Sequence, residues 1–142
     1  MIRAGDIMSE NVIVIRPDMP IRQVAHLMLR DRVHGFPVVR EGEGISGIIT
    51  LTDLLRMVHQ TTREHRLEEF YKKLPELKEL AVADVMSRDV VVVSPQTTLP
   101  EMLQTLFDKD VCTFPVLEAG KLVGIVSRHD IMNALFSFDP VQ

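Results

Sequence analysis

The chain is written twice, and whatever it folds into must satisfy both copies. Asp6-Ile7-Met8-Ser9 returns 78 residues later as Asp84-Val85-Met86-Ser87. The offset holds through Val12 and Val90, through Pro17 and Pro95, and through Val33-His34-Gly35-Phe36 and Val111-Cys112-Thr113-Phe114, each block followed by Pro-Val. One residue is then lost between Glu41-Gly42-Glu43-Gly44 and Ala119-Gly120-Lys121. From there the offset is 77, aligning Gly47-Ile48-Ile49-Thr50 with Gly124-Ile125-Val126-Ser127 and Asp53 with Asp130. A gap confined to a Gly-containing turn is the length change that surface connections tolerate. The 142 residues therefore divide into two small repeated units and a connector, with boundaries at 1–58, 59–80 and 81–142.

Each copy reads as strand, helix, strand, strand, helix. Val12-Ile13-Val14-Ile15 and Val90-Val91-Val92-Val93 are β-branched runs ending before Pro17 and Pro95, the pattern of a buried strand. Leu99, Met102, Leu103, Leu106 and Phe107 recur at helical spacing, with Thr98 and Glu101 as a capping box; Ile21, Val24, Ala25 and Met28 repeat the stripe after Pro20. Phe36-Pro37-Val38-Val39 with Ile45 to Thr50, and Phe114-Pro115-Val116-Leu117 with Leu122 to Ser127, read as hairpins. Asp53 and Asp130 then open amphipathic helices carrying Leu54, Leu55 and Val58, or Ile131, Ala134 and Leu135. Between the copies, Arg56 to Leu80 holds six Arg or Lys and five Glu, and reads as a helix extension followed by a second helix broken at Pro75.

Composition narrows the function classes. At 46% hydrophobic and 25% charged residues the chain is an ordinary globular protein. No apolar run exceeds four residues, whereas a membrane helix needs about 20. An acid at Asp6 stands where a signal peptide would be apolar, so the expected location is the cytoplasm. Cys112 is the single cysteine, which rules out an internal disulfide and a Cys-based zinc cluster. A net charge of −4 argues against a broad nucleic-acid surface.

Chemistry concentrates at the ends of the repeats. A hydroxyl at the end of a strand (Thr50, Ser127) and a carboxylate three residues later (Asp53, Asp130) can face one cavity where the next helix begins. The carboxylate can accept two hydrogen bonds at once, as the paired hydroxyls of a ribose require, and the hydroxyl with helix N-terminal amides can serve a phosphate. The same four residues can equally do no more than cap their helices.

The duplicated Asp-hydrophobic-Met-Ser starts, the Pro-Val strands and the endings Gly47-Ile48-Ile49-Thr50-Leu51-Thr52-Asp53 and Gly124-Ile125-Val126-Ser127-Arg128-His129-Asp130 resemble the cystathionine β-synthase (CBS) domain family, whose domains occur in pairs called Bateman modules. The resemblance covers nearly everything but the connector. It implies an α/β (α+β) fold of two tandem, pseudo-symmetric β-α-β-β-α domains joined by a charged helical connector. It also implies a stand-alone regulatory module that binds AMP, ADP, ATP or an S-adenosylmethionine-type ligand in clefts between the copies. Asp53 and Asp130 would then hold ribose hydroxyls, and Thr50 and Ser127 the ribose or α-phosphate. The adenine slot falls on Ser9, Ile13, Val33 and His34 in copy one and on Ser87, Val91, Val111 and Cys112 in copy two.

The two sets differ in charge. Arg32 precedes Val33, where phosphate-binding members often carry a basic residue, but its counterpart is Asp110; Arg128 follows Ser127, but its counterpart is Leu51. Each copy thus brings one candidate phosphate ligand, while Asp110 would repel a phosphate. His34, His129 and Cys112 invite a catalytic or metal reading, but five scattered His and one Cys form no ligand spacing, and neighbours on a helix do not face each other. The expectation is no catalytic residue, no resident metal and no required cofactor; magnesium carried in with a polyphosphate ligand is the more plausible cation. The expected partners are the adenosine ligand, a second copy of the chain in a homodimer, and an effector protein. Two rivals stand beside this reading: a scaffold with empty clefts, and a nucleic-acid-associated regulator using Arg63, Arg66, Lys72 and Lys73.

Overall fold

Prolines decide how far the sheets of this protein extend. The computed structural model describes residues 1–137. Its elements run α1 (Ala4–Ile7), α2 (Ile21–Asp31), β1 (Gly35–Arg40), β2 (Gly44–Thr50), α3 (Leu51–Glu64), α4 (Leu67–Lys78), α5 (Val82–Val85), α6 (Leu99–Lys109), β3 (Thr113–Glu118), β4 (Lys121–Ser127) and α7 (Arg128–Phe136). The sheets are the two antiparallel hairpins β1–β2 and β3–β4. Both shift register at the same place, after Val38↔Gly47 in one and Val116↔Gly124 in the other. The lost residue of the repeat falls in the second turn, where Ala119 and Gly120 both take positive φ, as a tight two-residue hairpin demands.

The β-branched runs are not strands. Ile15 and Val93 each make a single parallel bridge, to Val38 and Val116. Ile15 N–H donates to the Pro37 carbonyl (3.0 Å) and Val39 N–H to the Ile15 carbonyl (2.8 Å); Val93 repeats this with Pro115 (3.0 Å) and Leu117 (2.8 Å). Extending the ladder backward needs an N–H from Pro37 or Pro115, and extending it forward needs one from Pro17 or Pro95. None of these exists, so the pairing stops after one residue. Ile15 is fully buried, whereas Ile13, Val14 and Val92 are exposed.

The helices follow the expected stripes with two corrections. Ile21, Val24 and Met28 of α2 and Leu99, Met102 and Leu106 of α6 are buried, but Phe107 is 79% exposed. Thr98 and Glu101 form the capping box of α6. Helix α4 is not broken: it continues through Pro75 to Lys78, because proline near the end removes only the bond to the carbonyl four residues back, on exposed Tyr71. Its buried Phe70 ties the connector down, and α3 already extends well into that segment.

The compact units do not follow chain order. One comprises Ile13–Val90; the other combines Met1–Val12 with the chain from Val91 onward. We call them the Asp53 unit and the Asp130 unit. Each has its own core: Ile15, Val24, Phe36, Val38, Ile49 and Val82 are central to the first, and Ala4, Met102, Phe114, Val116, Val126 and Ile131 to the second. At about 1.5–3 kcal/mol for each large apolar side chain removed from water, these clusters are the main favourable term in each unit. Each leading Asp-hydrophobic-Met-Ser segment thus belongs to the hairpin of the other repeat.

Candidate functional site

Strand β2 delivers Thr50 to the N-cap of α3, three residues ahead of Asp53. The Asp53 N–H donates to Thr50 Oγ1 (3.1 Å), and Asp53 Oδ2 accepts from Thr50 N–H (2.8 Å) and from the Thr50 hydroxyl (2.9 Å). The other carboxylate oxygen, Oδ1, accepts from the Ser87 hydroxyl (2.8 Å) and from Arg56 Nη1 (3.3 Å). Asp53 is only 5% exposed. The carboxylate therefore closes the helix through one oxygen and, through the other, holds Arg56 one turn along the same helix and Ser87 from the segment after α5.

Ser87 reaches Asp53 because α5 lays its C-terminal end along β2. Ser87 and Ile48 exchange N–H···O bonds of 2.9 Å each. A side chain at Gly47 would forbid this approach, since its Cβ would lie 2.7 Å from Met86 Sδ and 2.8 Å from the Ser87 carbonyl oxygen. In the same unit Leu51 N–H donates to the His34 carbonyl (2.8 Å) and Val33 N–H to the Met28 carbonyl (3.2 Å), which sets the 33–34 segment beside the start of α3. Arg32 terminates α2 in the left-handed conformation, φ 55°. Ile13 and His34 are exposed and Val33 is half-buried.

The Asp130 unit repeats the plan. Asp130 Oδ2 accepts from Ser127 N–H (2.8 Å) and the Ser127 hydroxyl (3.0 Å), and Asp130 N–H donates back to Ser127 Oγ (3.2 Å). Ser9 and Ile125 exchange N–H···O bonds of 2.9 and 3.0 Å, with Met8 packed over Gly124. Arg128 N–H donates to the Cys112 carbonyl (3.2 Å), and its guanidinium donates to the Val111 carbonyl (3.2 Å) and to Asp110 Oδ1 (3.3 Å). Val91, Val111 and Cys112 are half-buried, and His129 is exposed.

The structure thus brings together most of each candidate set and exchanges one member. Ser9, expected beside Asp53, lies in the Asp130 unit; Ser87, expected beside Asp130, is hydrogen-bonded to Asp53. Chain order suggested the wrong pairing because the leading segments cross over. Gly47 and Gly124, each in mid-strand at the same register, were the available signal that another backbone approaches there. Asp110, read as a repulsive neighbour for a phosphate, is instead ion-paired with Arg128. Arg56 was missed: it sits one helical turn beyond Asp53, the spacing at which opposite charges meet, and its counterpart is Asn133.

A cavity of about 400 Å³ in the Asp53 unit is lined by Arg16, Asp18, Val39, Arg40 and Glu41 among others, and by none of the candidate ligand residues. Among the described residues no helix is long and apolar enough to cross a membrane.

A zinc metalloprotease of Methanocaldococcus jannaschii is 33% identical over 134 residues, covering 94% of this chain and 32% of that protein. CBSX2, a chloroplastic CBS domain-containing protein of Arabidopsis thaliana, is 26% identical over 147 residues, covering 92% of this chain and 62% of that protein. The chain therefore spans about a third to two thirds of the length of these two relatives. The structure of CBSX2 in complex with AMP matches with a TM-score of 0.76 at 24% identity, over 96% of this chain and 98% of that one. The CBS domain pair of protein MJ0100, in complex with 5′-methylthioadenosine and S-adenosylmethionine, matches with a TM-score of 0.74 at 20% identity, over 96% and 98%. The CBS domain family model matches twice in tandem, at residues 4–60 and 82–137, and the chain belongs to the CBS domain family.

Proposed function

We propose that this protein is a regulatory module that binds an adenosine nucleotide or adenosyl compound and passes its state of occupancy to a partner chain. The observation that carries this reading is the duplicated strand-to-helix junction, where a hydroxyl and a carboxylate three residues apart are fixed by reciprocal hydrogen bonds at a helix start. Such a junction offers carboxylate acceptors to a ribose and a helix N-terminus to a phosphate. The AMP, methylthioadenosine and S-adenosylmethionine complexes of related CBS pairs support the ligand class.

In this reading Asp53 and Asp130 accept from ribose hydroxyls, and Thr50 and Ser127 contact the ribose or α-phosphate. The adenine lies against Ile13, Val33, His34 and Ser87 in the Asp53 unit, and against Val91, Val111, Cys112 and Ser9 in the Asp130 unit. Arg32 and Arg128 serve phosphate, with magnesium entering only on a polyphosphate. Binding changes output only to the extent that ligand affinity differs between two states of the module. Exposed Phe107 on α6 and exposed Met132, Leu135 and Phe136 on α7 favour pairing with a second copy, and light scattering on the eluting protein should report a dimer mass.

The test is a thermal-shift panel with AMP, ADP, ATP and S-adenosylmethionine. A ligand held at 100 times its Kd stabilises the folded state by about 2.7 kcal/mol, a rise of several degrees for a chain of this size. The Asp53→Ala/Asp130→Ala double variant should lose that rise while remaining folded. No rise with any of the four compounds would remove the sensing function, and an equal rise in wild type and double variant would remove the ribose assignment.

A further inference from the structure

The two junctions share a plan, but their carboxylates are not equally available. An ionised carboxylate has about four acceptor positions. At Asp53 all four are in use: Oδ2 takes the Thr50 N–H and hydroxyl, and Oδ1 takes the Ser87 hydroxyl at 2.8 Å and Arg56 at 3.3 Å. At Asp130 only Oδ2 is occupied, by the Ser127 N–H and hydroxyl; among the described residues nothing donates to Oδ1. Asp53 is buried and Asp130 is half-exposed.

The repeat alignment shows where the difference is encoded. Thr50 matches Ser127, and Ser87 matches Ser9, but among the described residues the Ser9 hydroxyl makes no bond to Asp130 whereas the Ser87 hydroxyl reaches Asp53. The residue that differs in kind is Arg56 against Asn133. Arg56 is placed by helix geometry, three residues after Asp53 on the same face, and its ion pair is with a carboxylate that is 4% exposed at the side chain. An asparagine is shorter and uncharged and cannot hold a carboxylate in that way. A ribose arriving at Asp53 must displace a charge-assisted bond, whereas one arriving at Asp130 finds an open oxygen.

We propose that Arg56 closes the Asp53 junction, so that the chain takes up its adenosine ligand first and more tightly at Asp130. This rests on the adenosine-binding reading above and adds to it an order of occupancy. Arg56 is a gating residue here, acting on ligand through the carboxylate it covers.

The experiment is isothermal titration of the full chain with AMP, comparing wild type with Asp53→Asn, Asp130→Asn, Arg56→Asn and Asn133→Arg, each checked for folding by circular dichroism. Wild type should bind one equivalent tightly and any second at least tenfold more weakly. Asp130→Asn should remove the tight equivalent and Asp53→Asn should leave it. Arg56→Asn, which installs the residue of the other repeat, should bring the second site to within about threefold of the first; Asn133→Arg should weaken the first at least tenfold. The gate is overturned by two equal sites in wild type, by loss of the tight site in Asp53→Asn but not in Asp130→Asn, or by weaker binding in Arg56→Asn, which would make Arg56 a direct ligand residue. Absence of AMP binding in the wild type and every variant, together with a flat thermal-shift panel, would overturn the adenosine reading itself and the gate with it. The two failures are thereby told apart.

Discussion

Gly47→Ala and Gly124→Ala place the same methyl group at the same register of the two repeats, yet the structure assigns them different costs. At Gly47 the new Cβ meets a backbone atom, the Ser87 carbonyl oxygen at 2.8 Å, as well as Met86 Sδ at 2.7 Å. Restoring an ordinary contact near 3.4 Å moves the carbonyl by about 0.6 Å. That carbonyl accepts from Ile48 N–H at 2.9 Å, so the shift takes the bond to the limit of hydrogen-bond distance and strains its reciprocal partner. Two such bonds are worth about 1 kcal/mol each, and overpacking adds about 1–3 kcal/mol. The expected total is about 3–5 kcal/mol if both bonds are lost. At Gly124 the three nearest atoms all belong to the Met8 side chain, Sδ at 2.5 Å, Cγ at 2.9 Å and Cβ at 3.1 Å. A thioether chain with three rotatable bonds can swing aside, so about 1–2 kcal/mol is expected. Urea denaturation followed by circular dichroism measures both, against a total stability of about 5–15 kcal/mol for an ordinary domain. Gly47→Ala within 0.5 kcal/mol of wild type, or no costlier than Gly124→Ala, would refute the claim that backbone approach at Gly47 holds Ser87 on Asp53.

Three further outcomes are expected. Thr98→Ala should cost about 1 kcal/mol and Thr98→Gly only a few tenths, because Thr98 caps α6 through Glu101; equal losses in urea titrations would place the cost outside the cap. Arg32→Gly should raise stability by up to about 1 kcal/mol by relieving a left-handed residue at φ 55°, while weakening AMP binding in the same preparation; a gain in both would exclude Arg32 as a phosphate ligand. The hydrogen bond from Arg30 holds the Asp31 carboxyl below the ordinary carboxylate range. Since its folded value is depressed, that contribution is complete above the ordinary Asp value and is lost as pH falls through the folded one. Asp31→Asn should therefore lower the neutral plateau slightly and flatten the acid limb of a stability-against-pH curve below about pH 4, the two proteins converging in acid.

Much of this molecule can be read without coordinates. The existence of both hairpins, the hydroxyl–acid pairs at Thr50, Thr98 and Ser127 and the buried stripe of α2 follow from local rules: β-branched runs joined by Gly-containing turns, 3.6-residue spacing in helices, and caps at helix starts. The strands assigned to Val12–Ile15 and Val90–Val93 failed for a reason also present in the letters. Prolines 17, 37, 95 and 115 lack the N–H groups on both sides of the bridge, but this becomes visible only once one knows which residues face each other.

What the amino-acid order alone determined is the duplicated architecture and the chemical character of its two junctions, because repeats, caps and hairpins are encoded within a few residues of one another. Only the tertiary structure decided which serine stands at which carboxylate. Ser87 is 34 residues from Asp53, and the choice between it and Ser9 depends on which leading segment docks over which mid-strand glycine, a contact that no local pattern specifies. The role of Arg56 has the same origin. Its spacing from Asp53 is legible, but that the carboxylate is buried, and filled by four donors, is a property of packing.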